Sequence, residues 1–175
     1  MQQQISLDGK QRKLKEQLWL DDKLGNIWDI SEIAGEITYK TSRIGKPSSL
    51  EFTLIKGSLF QNSKFTYENG YVVKYVSNEV GIFYGYIFSV DSGKDESVKI
   101  KAYDQTRYLT ANQTYQFVNA TAADVIRRIA TDFQLKIGDL IQSKYVIPRM
   151  LFDNKKLIDM ICEALDRTLI YGGKN

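Results

Sequence analysis

Three carboxylates near the C-terminal end have a spacing that could support acid–base chemistry. Asp159, Glu163 and Asp166 are three or four residues apart, so two of them share a face if the segment is helical. Paired carboxylates are the groups that glycoside hydrolysis requires, which makes a sugar hydrolase one candidate function. These carboxylates lie opposite an apolar stripe and beside the cations Lys155, Lys156 and Arg167. A solvated helix face is therefore the favoured interpretation.

The single cysteine, Cys162, could be a nucleophile only beside a base. The sequence contains no histidine, which excludes histidine-based triads, zinc ligands and proton shuttles. One cysteine also excludes an internal disulfide and the class of disulfide-stapled secreted domains. Because Cys162 falls in the apolar stripe of a predicted helix, we interpret it as a small core residue. We therefore assign no catalytic, cofactor-binding or metal-binding residue and expect a protein that is not an enzyme.

Basic and aromatic residues could instead contact nucleic acid. A short basic run comprises Lys10, Arg12, Lys13 and Lys15, and its polar neighbours favour a solvated arm. Aromatic residues interleaved with lysines over residues 65–86 are typical of oligonucleotide-binding barrels, in which bases stack on exposed rings. Strands also use aromatic residues for packing, and the net charge is only +3. A single-stranded nucleic-acid-binding module stays an alternative, while specific nucleic-acid binding is not expected.

Composition indicates a folded chain without a membrane segment. The 175 residues are 43% hydrophobic and 12% aromatic, enough for one sizeable core or for two small domains. The N-terminal residues lack the apolar region of a secretory signal, and no apolar run approaches the length needed to span a bilayer. We expect synthesis in a reducing cytoplasm and no membrane partner.

The elements that position these residues follow from periodicity, which predicts a flexible polar arm over residues 1–13 and a β domain over residues 14–104. Turn-forming pairs such as Asn69-Gly70 and Asn78-Glu79 separate runs that alternate between apolar and polar residues. Short strands at this spacing predict a closed or nearly closed antiparallel barrel or sandwich. Ten residues are expected to serve mainly in packing: Trp28, Ile37, Tyr39, Leu50, Phe52, Leu54, Phe83, Ile87, Ile100 and Tyr103.

The pattern changes to a small α+β module over residues 105–175. Thr121 and Asp124 have the spacing of a capping box and predict a helix start. A second helix is predicted to begin at Asp153 or Asn154. Its expected apolar stripe consists of Leu157, Ile158, Ile161, Cys162 and Leu165. Residues 169–171 are predicted to begin a strand, and because that strand has no partner, we expect the chain to be a fragment of a longer one.

Several segments resemble the baseplate hub proteins of PBSX-like prophages, contractile phage tails and phage-tail-like bacteriocins. The most specific segment runs from Ala102-Tyr103-Asp104-Gln105 to Arg107-Tyr108-Leu109. The other segments that carry the resemblance are residues 27–30, 36–54, 82–88, 98–101, 121–126, 153–157 and 164–166. The resemblance extends over residues 17–170.

The resemblance implies a structural component of a contractile injection system, similar to the trimeric adapter hub that joins a tail tube to a central spike. Each full-length subunit would carry two tail-tube-type β domains, and three subunits would form a ring. The implied partners are the tail tube protein, the spike and other baseplate proteins. The implied location is a virion or tail-like particle assembled in the bacterial cytoplasm. A phage-associated peptidoglycan hydrolase is the second alternative. The second tube-like domain is missing here, so we expect this chain alone to be monomeric or weakly associated.

Overall fold

The computed structural model describes residues 16–42, 45–55, 65–93 and 96–173. The predicted arm and the basic run lie outside the described residues. The described elements are β1 (Glu16–Asp21), β2 (Ile27–Asp29), β3 (Ala34–Lys40), β4 (Ser49–Ile55), β5 (Val72–Ser77), β6 (Val80–Asp91), β7 (Ser97–Tyr103), a 3-10 helix (Gln105–Thr110), β8 (Asn112–Ala120), α1 (Ala122–Asp132), β9 (Ile147–Lys156) and α2 (Leu157–Gly172). Neither α1 nor α2 is long and apolar enough to cross a membrane.

Strands β1 to β7 form one antiparallel sheet in the order β2-β1-β5-β6-β7-β4-β3. The predicted mainly antiparallel β architecture is confirmed, but closure into a barrel is not observed, because β2 and β3 are unpaired ends of this order within the described ranges. The chain between them turns tightly, since the backbone N–H groups of Ile33 and Ala34 both donate to the carbonyl of Ile30.

The inner face of the sheet encloses one core to which strands from both halves of the sheet contribute. Its members are Leu18, Leu20, Ile30, Leu50, Phe52, Leu54, Val73, Tyr75, Phe83, Ile87, Val98, Ile100 and Ala102. Trp28 and Ile37, from the two end strands, pack against this core. A single sheet whose ends share one core must curve around it. Most of the residues predicted to pack therefore do so, whereas Tyr39 is 38% exposed at the edge strand β3.

The module has its own core beneath the antiparallel pair β8–β9. Its buried members are Leu109, Phe117, Ala122, Val125, Ile129, Ile147, Met150, Phe152, Leu157, Met160, Ile161 and Ala164. The predicted capping box at the start of α1 is confirmed. The Thr121 hydroxyl accepts from the backbone N–H of Asp124 over 3.2 Å, and the Asp124 carboxylate accepts from the backbone N–H of Thr121 over 2.9 Å.

The second helix begins later than the sequence predicts. Asp153 and Asn154 lie in β9, whose pairing with β8 continues to Lys156. The hydroxyl of Thr114 holds this part of the strand, because it donates to the Asp153 carboxylate over 3.0 Å and accepts from the backbone N–H of Asn154 over 3.1 Å. The pairing of β9 with β8 thus keeps the chain extended to Lys156, and the helix begins only at Leu157.

The buried stripe of α2 and its C-terminal end also differ from the prediction. Residues Met160 and Ala164 are buried, whereas Leu165, predicted to be buried, is 47% exposed. The predicted strand at residues 169–171 is instead the last turn of α2. The buried residues of α2 are Leu157, Met160, Ile161 and Ala164, whose i, i+3, i+4 and i+7 spacing defines one face of the helix.

Candidate interaction surface

The sheet and the module meet at the 3-10 helix, which is anchored in both. Tyr108 packs against the outer face of the sheet, where its ring centroid lies 5.9 Å from that of Phe88 and 6.5 Å from that of Tyr86. The next residue, Leu109, is buried in the module core. Two consecutive side chains therefore connect the two halves of the structure.

Asp104 fixes the start of this helix. One carboxylate oxygen accepts from the backbone N–H of Thr106 over 3.0 Å and from its hydroxyl over 2.5 Å. The other oxygen accepts from the backbone N–H of Ser48 over 3.1 Å, just before β4. Both oxygens are thus engaged by uncharged donors, so this carboxylate has a positioning role at the seam.

The outer face of β6 carries a ladder of aromatic side chains. Alternation along the strand places Tyr84, Tyr86 and Phe88 opposite the residues that fill the core. The rings of Tyr84 and Tyr86 are 6.3 Å apart at an angle of 80°, and those of Phe88 and Tyr103 are 5.5 Å apart at 89°. Tyr103, predicted to serve in packing, does so on the outer face. Tyr84 is 54% exposed.

Cations surround this ladder. The Lys23 ammonium lies 4.8 Å from the Tyr86 ring centroid, and the Arg107 guanidinium lies 5.4 Å from that of Tyr103 and 5.9 Å from that of Phe88. These distances are within the range of cation–π attraction. Within the described ranges, neither Lys23 nor Arg107 has a carboxylate within ion-pair distance. The aromatic face is therefore also basic.

A groove runs along the seam between the aromatic face and the module. Its aromatic wall contains Tyr84, Tyr86 and Tyr108, and its opposite wall contains Lys136, in the segment that follows α1. The side-chain amide of Gln105 donates to the Lys136 carbonyl over 2.9 Å and joins the walls. An apolar pocket of about 200 Å³ on the module side shares Gln105, Thr106 and Lys136 with the lining of the groove. This pocket is lined by Gln105, Thr106, Leu109, Ile126, Ile129, Ala130, Leu135, Lys136, Ile137, Gly138 and Ile161.

The carboxylates considered for hydrolysis lie on α2, away from this groove. Glu163 is held by two cations, with Lys155 at 2.5 Å and Arg167 at 2.6 Å. The hydrogen bond from Lys155 is the main reason why the pKa of Glu163 lies below its ordinary value. A general acid in glycoside hydrolysis requires a raised pKa, so this arrangement opposes that role. Asp159 and Asp166 are exposed on the same helix.

Cys162 is half-buried on α2. Burial raises the pKa of its thiol, and the nearby carboxylates of Asp159 and Asp166 raise it further. Both effects disfavour the thiolate, which is the nucleophilic form. In the described part of the chain, the side chains also form no cluster of three or more potential metal ligands.

The aromatic residues considered for base stacking divide between the core and the surface. Phe65 and Tyr67 pack against the sheet core, and Phe65 makes an edge contact with Trp28 at 5.2 Å. Tyr84 and Tyr86 lie on the outer face, as stacking would require. The sequence analysis did not identify Phe88 and Tyr108 as part of this surface. Strict alternation through residues 80–88 is the signal that could have placed Phe88 there.

Comparison with known proteins identifies relatives over most of the chain. A family model described as YqbQ-like matches residues 37–175. The Bacillus subtilis phage-like element PBSX protein XkdQ is 28% identical over 145 residues, which cover 82% of this chain and 44% of that protein. The Bacillus subtilis protein YqbQ is 34% identical over 96 residues, 54% of this chain and 29% of that protein. The chain spans less than half the length of these curated relatives.

Solved structures share the fold at low sequence identity. The 43 kDa tail protein of prophage MuSo2 from Shewanella oneidensis aligns with a TM-score of 0.63 and 15% identity, over 87% of this chain and 49% of that chain. The tail protein from Neisseria meningitidis MC58 gives 0.60 and 12% identity, over 87% and 45%. A chain of the Francisella PdpA–VgrG complex gives 0.53 and 14% identity, over 89% and 29%.

Proposed function

We propose a function on the basis that the chain belongs to the YqbQ-like family. It is a structural component of a contractile phage-type tail baseplate, a hub or adapter that joins the tail tube to the central spike. The observation that carries this proposal is the match to the PBSX element protein over 82% of the chain, together with a fold shared with tail proteins. The role is structural and requires no cofactor.

The seven-stranded sheet supports the assignment of a tail-tube-type β domain to residues 14–104. The sheet encloses one core, and each of its end strands, β2 and β3, has one edge that pairs with no other described strand. Free strand edges are suited to pairing between neighbouring subunits, which is how a ring of such domains would close. Residues 105–175 would form the adjoining α+β module.

The proposed partners are the tail tube, the spike and other baseplate proteins. The likeness to a chain of the PdpA–VgrG complex supports an association with spike-type proteins. The proposed location is a virion or tail-like particle that is assembled in the bacterial cytoplasm. The carboxylate arrangement supports a non-enzymatic role, because the ion pairs hold Glu163 in its charged form.

Electron microscopy of purified tails tests this proposal. A copy of the chain's gene in its prophage, extended with an epitope tag, should place gold label at the baseplate end of the tail tube. Deletion of the gene should leave tubes or sheaths without an organised baseplate. Label along the sheath or at the head end, or normal baseplates after deletion, would show that the hub assignment is wrong.

The oligomeric state is a separate proposal. A protein with the full length of the relatives should be a homotrimer, whereas the 175-residue chain should be monomeric or weakly associated at micromolar concentration. Stable interfaces bury about 1,200–2,000 Å² in total, and a ring with half its contacts falls towards the weak limit. Light scattering over a dilution series distinguishes these states. A tight trimer of the 175-residue chain at nanomolar concentration would refute this account of the ring.

A further inference from the structure

We propose that the groove between Tyr84 and the apolar pocket at Ile126 binds an extended acidic peptide segment of a partner protein, which places one apolar side chain in the pocket. This inference goes beyond the hub role, because it follows from the geometry of the seam alone.

Charge complementarity selects an acidic occupant. Lys23 and Lys136 line the groove, and within the described ranges neither has a carboxylate at ion-pair distance. The carboxylate in the groove wall, Asp104, is already bonded to the donors of Thr106 and Ser48. The two lysines outnumber this one carboxylate, so the net charge of the groove lining is positive. Unpaired cations at the rim of a binding surface steer and retain segments of opposite charge.

The apolar pocket accommodates a side chain rather than a small-molecule cofactor. Its volume of about 200 Å³ is below the range of roughly 300–1,000 Å³ that is usual for ligand sites. Ile126 and Leu135 are partly buried in its wall, Ile129 and Leu109 are buried beside them, and Ile137 is exposed at 43%. An apolar anchor in such a pocket supplies most of the binding free energy in peptide recognition.

The aromatic wall favours a peptide over single-stranded nucleic acid. Tyr84 and Tyr86 meet at 80°, so they do not offer two parallel faces on which successive bases could stack. The Lys23 and Arg107 side chains each lie over an aromatic ring and do not form a continuous track for phosphates. An extended peptide can lie between tilted rings, as it does in the aromatic-lined grooves of other peptide-binding proteins.

Selection from a randomised peptide library displayed on the surface of a carrier tests the proposal directly. The intact 175-residue chain is the target of the selection. Counter-selection against its Lys136→Glu variant removes peptides that bind elsewhere on the surface. The Lys136 side chain can change without loss of the seam, because Gln105 bonds to the backbone carbonyl of Lys136. We expect enriched peptides that combine several Asp or Glu residues with one Leu, Ile or Phe.

Binding of a synthetic enriched peptide should weaken roughly ten-fold or more in Lys136→Glu and fall with added salt. Lys99→Glu, the same charge change on the outer face of β7, should leave the affinity unchanged. Amide chemical shifts should move at Tyr84, Gln105 and Ile137. The Ile137→Glu variant should also lose binding, while the far-ultraviolet circular dichroism of every variant remains that of the parent chain.

Four results would overturn the proposal. The first is enrichment of basic peptides, and the second is that no peptide distinguishes the chain from Lys136→Glu. The third is an equal loss of affinity in Lys99→Glu. The fourth is displacement of the peptide by oligothymidylate that binds more tightly at the same amides. The last result would assign the groove to single-stranded nucleic acid. None of these outcomes bears on the location of the chain in tails, so failure here is distinct from failure of the hub proposal.

Discussion

Gly85 lies against the backbone of Tyr103 so closely that no side chain fits between them. A Cβ atom at position 85 would lie 2.7 Å from the carbonyl carbon of Tyr103 and 2.6 Å from Cζ of the Phe83 ring. Gly85 is buried on the inner face of β6, between the ladder residues Tyr84 and Tyr86 on the outer face. The close approach of β6 to β7 at this point therefore positions the aromatic face.

Gly85→Ala should reduce the free energy of unfolding by about 1–3 kcal/mol, because the added methyl group forces the two strands or the Phe83 ring to move. Urea unfolding followed by tryptophan fluorescence measures the change. Gly81→Ala in the same strand is the control, since a Cβ there meets nothing within 4 Å. An equal effect of the two substitutions would show that the close contact with Tyr103 is not the cause.

The turn between β5 and β6 contains strain that a glycine should relieve. Asn78 and Glu79 have φ values of 49° and 68°, a left-handed pair that favours Asn-Gly. Glu79→Gly should raise the free energy of unfolding by about 0.5–1 kcal/mol. Ser77→Gly, in the neighbouring strand position, should lower it instead. Thermal unfolding of the two variants compares them, and a lower melting temperature for Glu79→Gly would contradict the turn geometry.

Thr121, which caps α1, should contribute more to stability than the other threonine of that helix. Thr121 is buried and bonds to Asp124, while Thr131 is exposed near the C-terminal end. Thr121→Ala should cost about 0.5–2 kcal/mol of unfolding free energy, since it removes the acceptor for a backbone N–H of the first turn. Thr131→Ala should change stability by less than about 0.5 kcal/mol. Chemical unfolding of both variants under one condition decides between them.

The ion pairs of Glu163 predict a pH-dependent contribution to stability. The hydrogen bond from Lys155 holds the pKa of Glu163 below its usual value, so the folded state binds the proton more weakly than the unfolded state. The stabilisation is therefore present above the unfolded pKa of about 4.3 and is lost as pH falls through the lower folded value. Glu163→Gln should cost about 0.5–1 kcal/mol at neutral pH and progressively less in acid.

Unfolding of the parent chain and of Glu163→Gln at a series of pH values measures this difference. Asp166→Asn is the matched control, because Asp166 makes no ion pair with a described residue and is exposed. A constant difference between parent and variant from neutral to acidic pH would mean that the charge of Glu163 is not what stabilises α2.

Local patterns in the sequence were sufficient to predict most of the sheet. Alternation with residues such as Phe52 and Ile100 located the strands, because one face is buried and the other is not. The capping box at Thr121 located α1, because its hydrogen bonds are local in sequence. The sequence predicted a closed or nearly closed barrel or sandwich but could not decide between these forms, since strand order depends on contacts that are distant in sequence, such as the pairing of Phe52 in β4 with Ile100 in β7.

The start of α2 could not be predicted for a similar reason. The segment at Asp153 and Asn154 has the polar residues of a helix start. Its hydrogen bonds, however, go to Thr114, which lies 39 and 40 positions earlier in the sequence. The groove could not be predicted either, because it lies between Tyr84 of the sheet and Lys136 of the module. Only the relative placement of the two halves brings these residues together.

The buried face of α2 gives the final prediction, because the sequence pattern and the structure assign it differently. The pattern predicts Leu165 inside, whereas the structure buries Met160 completely and leaves Leu165 at 47% exposure. Met160→Ala should therefore cost about 2–5 kcal/mol, since it removes buried methylene groups and leaves a cavity. Leu165→Ala should change the free energy of unfolding by less than about 0.5 kcal/mol.

Urea unfolding of the two variants compares their free energies of unfolding, and these should fall with urea concentration at the same slope. Both replacements introduce alanine into the same helix, so differences in helix propensity are small beside the loss of packing. The reverse order, with Leu165→Ala the more destabilising, would mean that α2 is rotated towards the face that the sequence pattern predicts. Met160 would then be a surface residue, and the wall that Ile161 contributes to the apolar pocket would be misplaced.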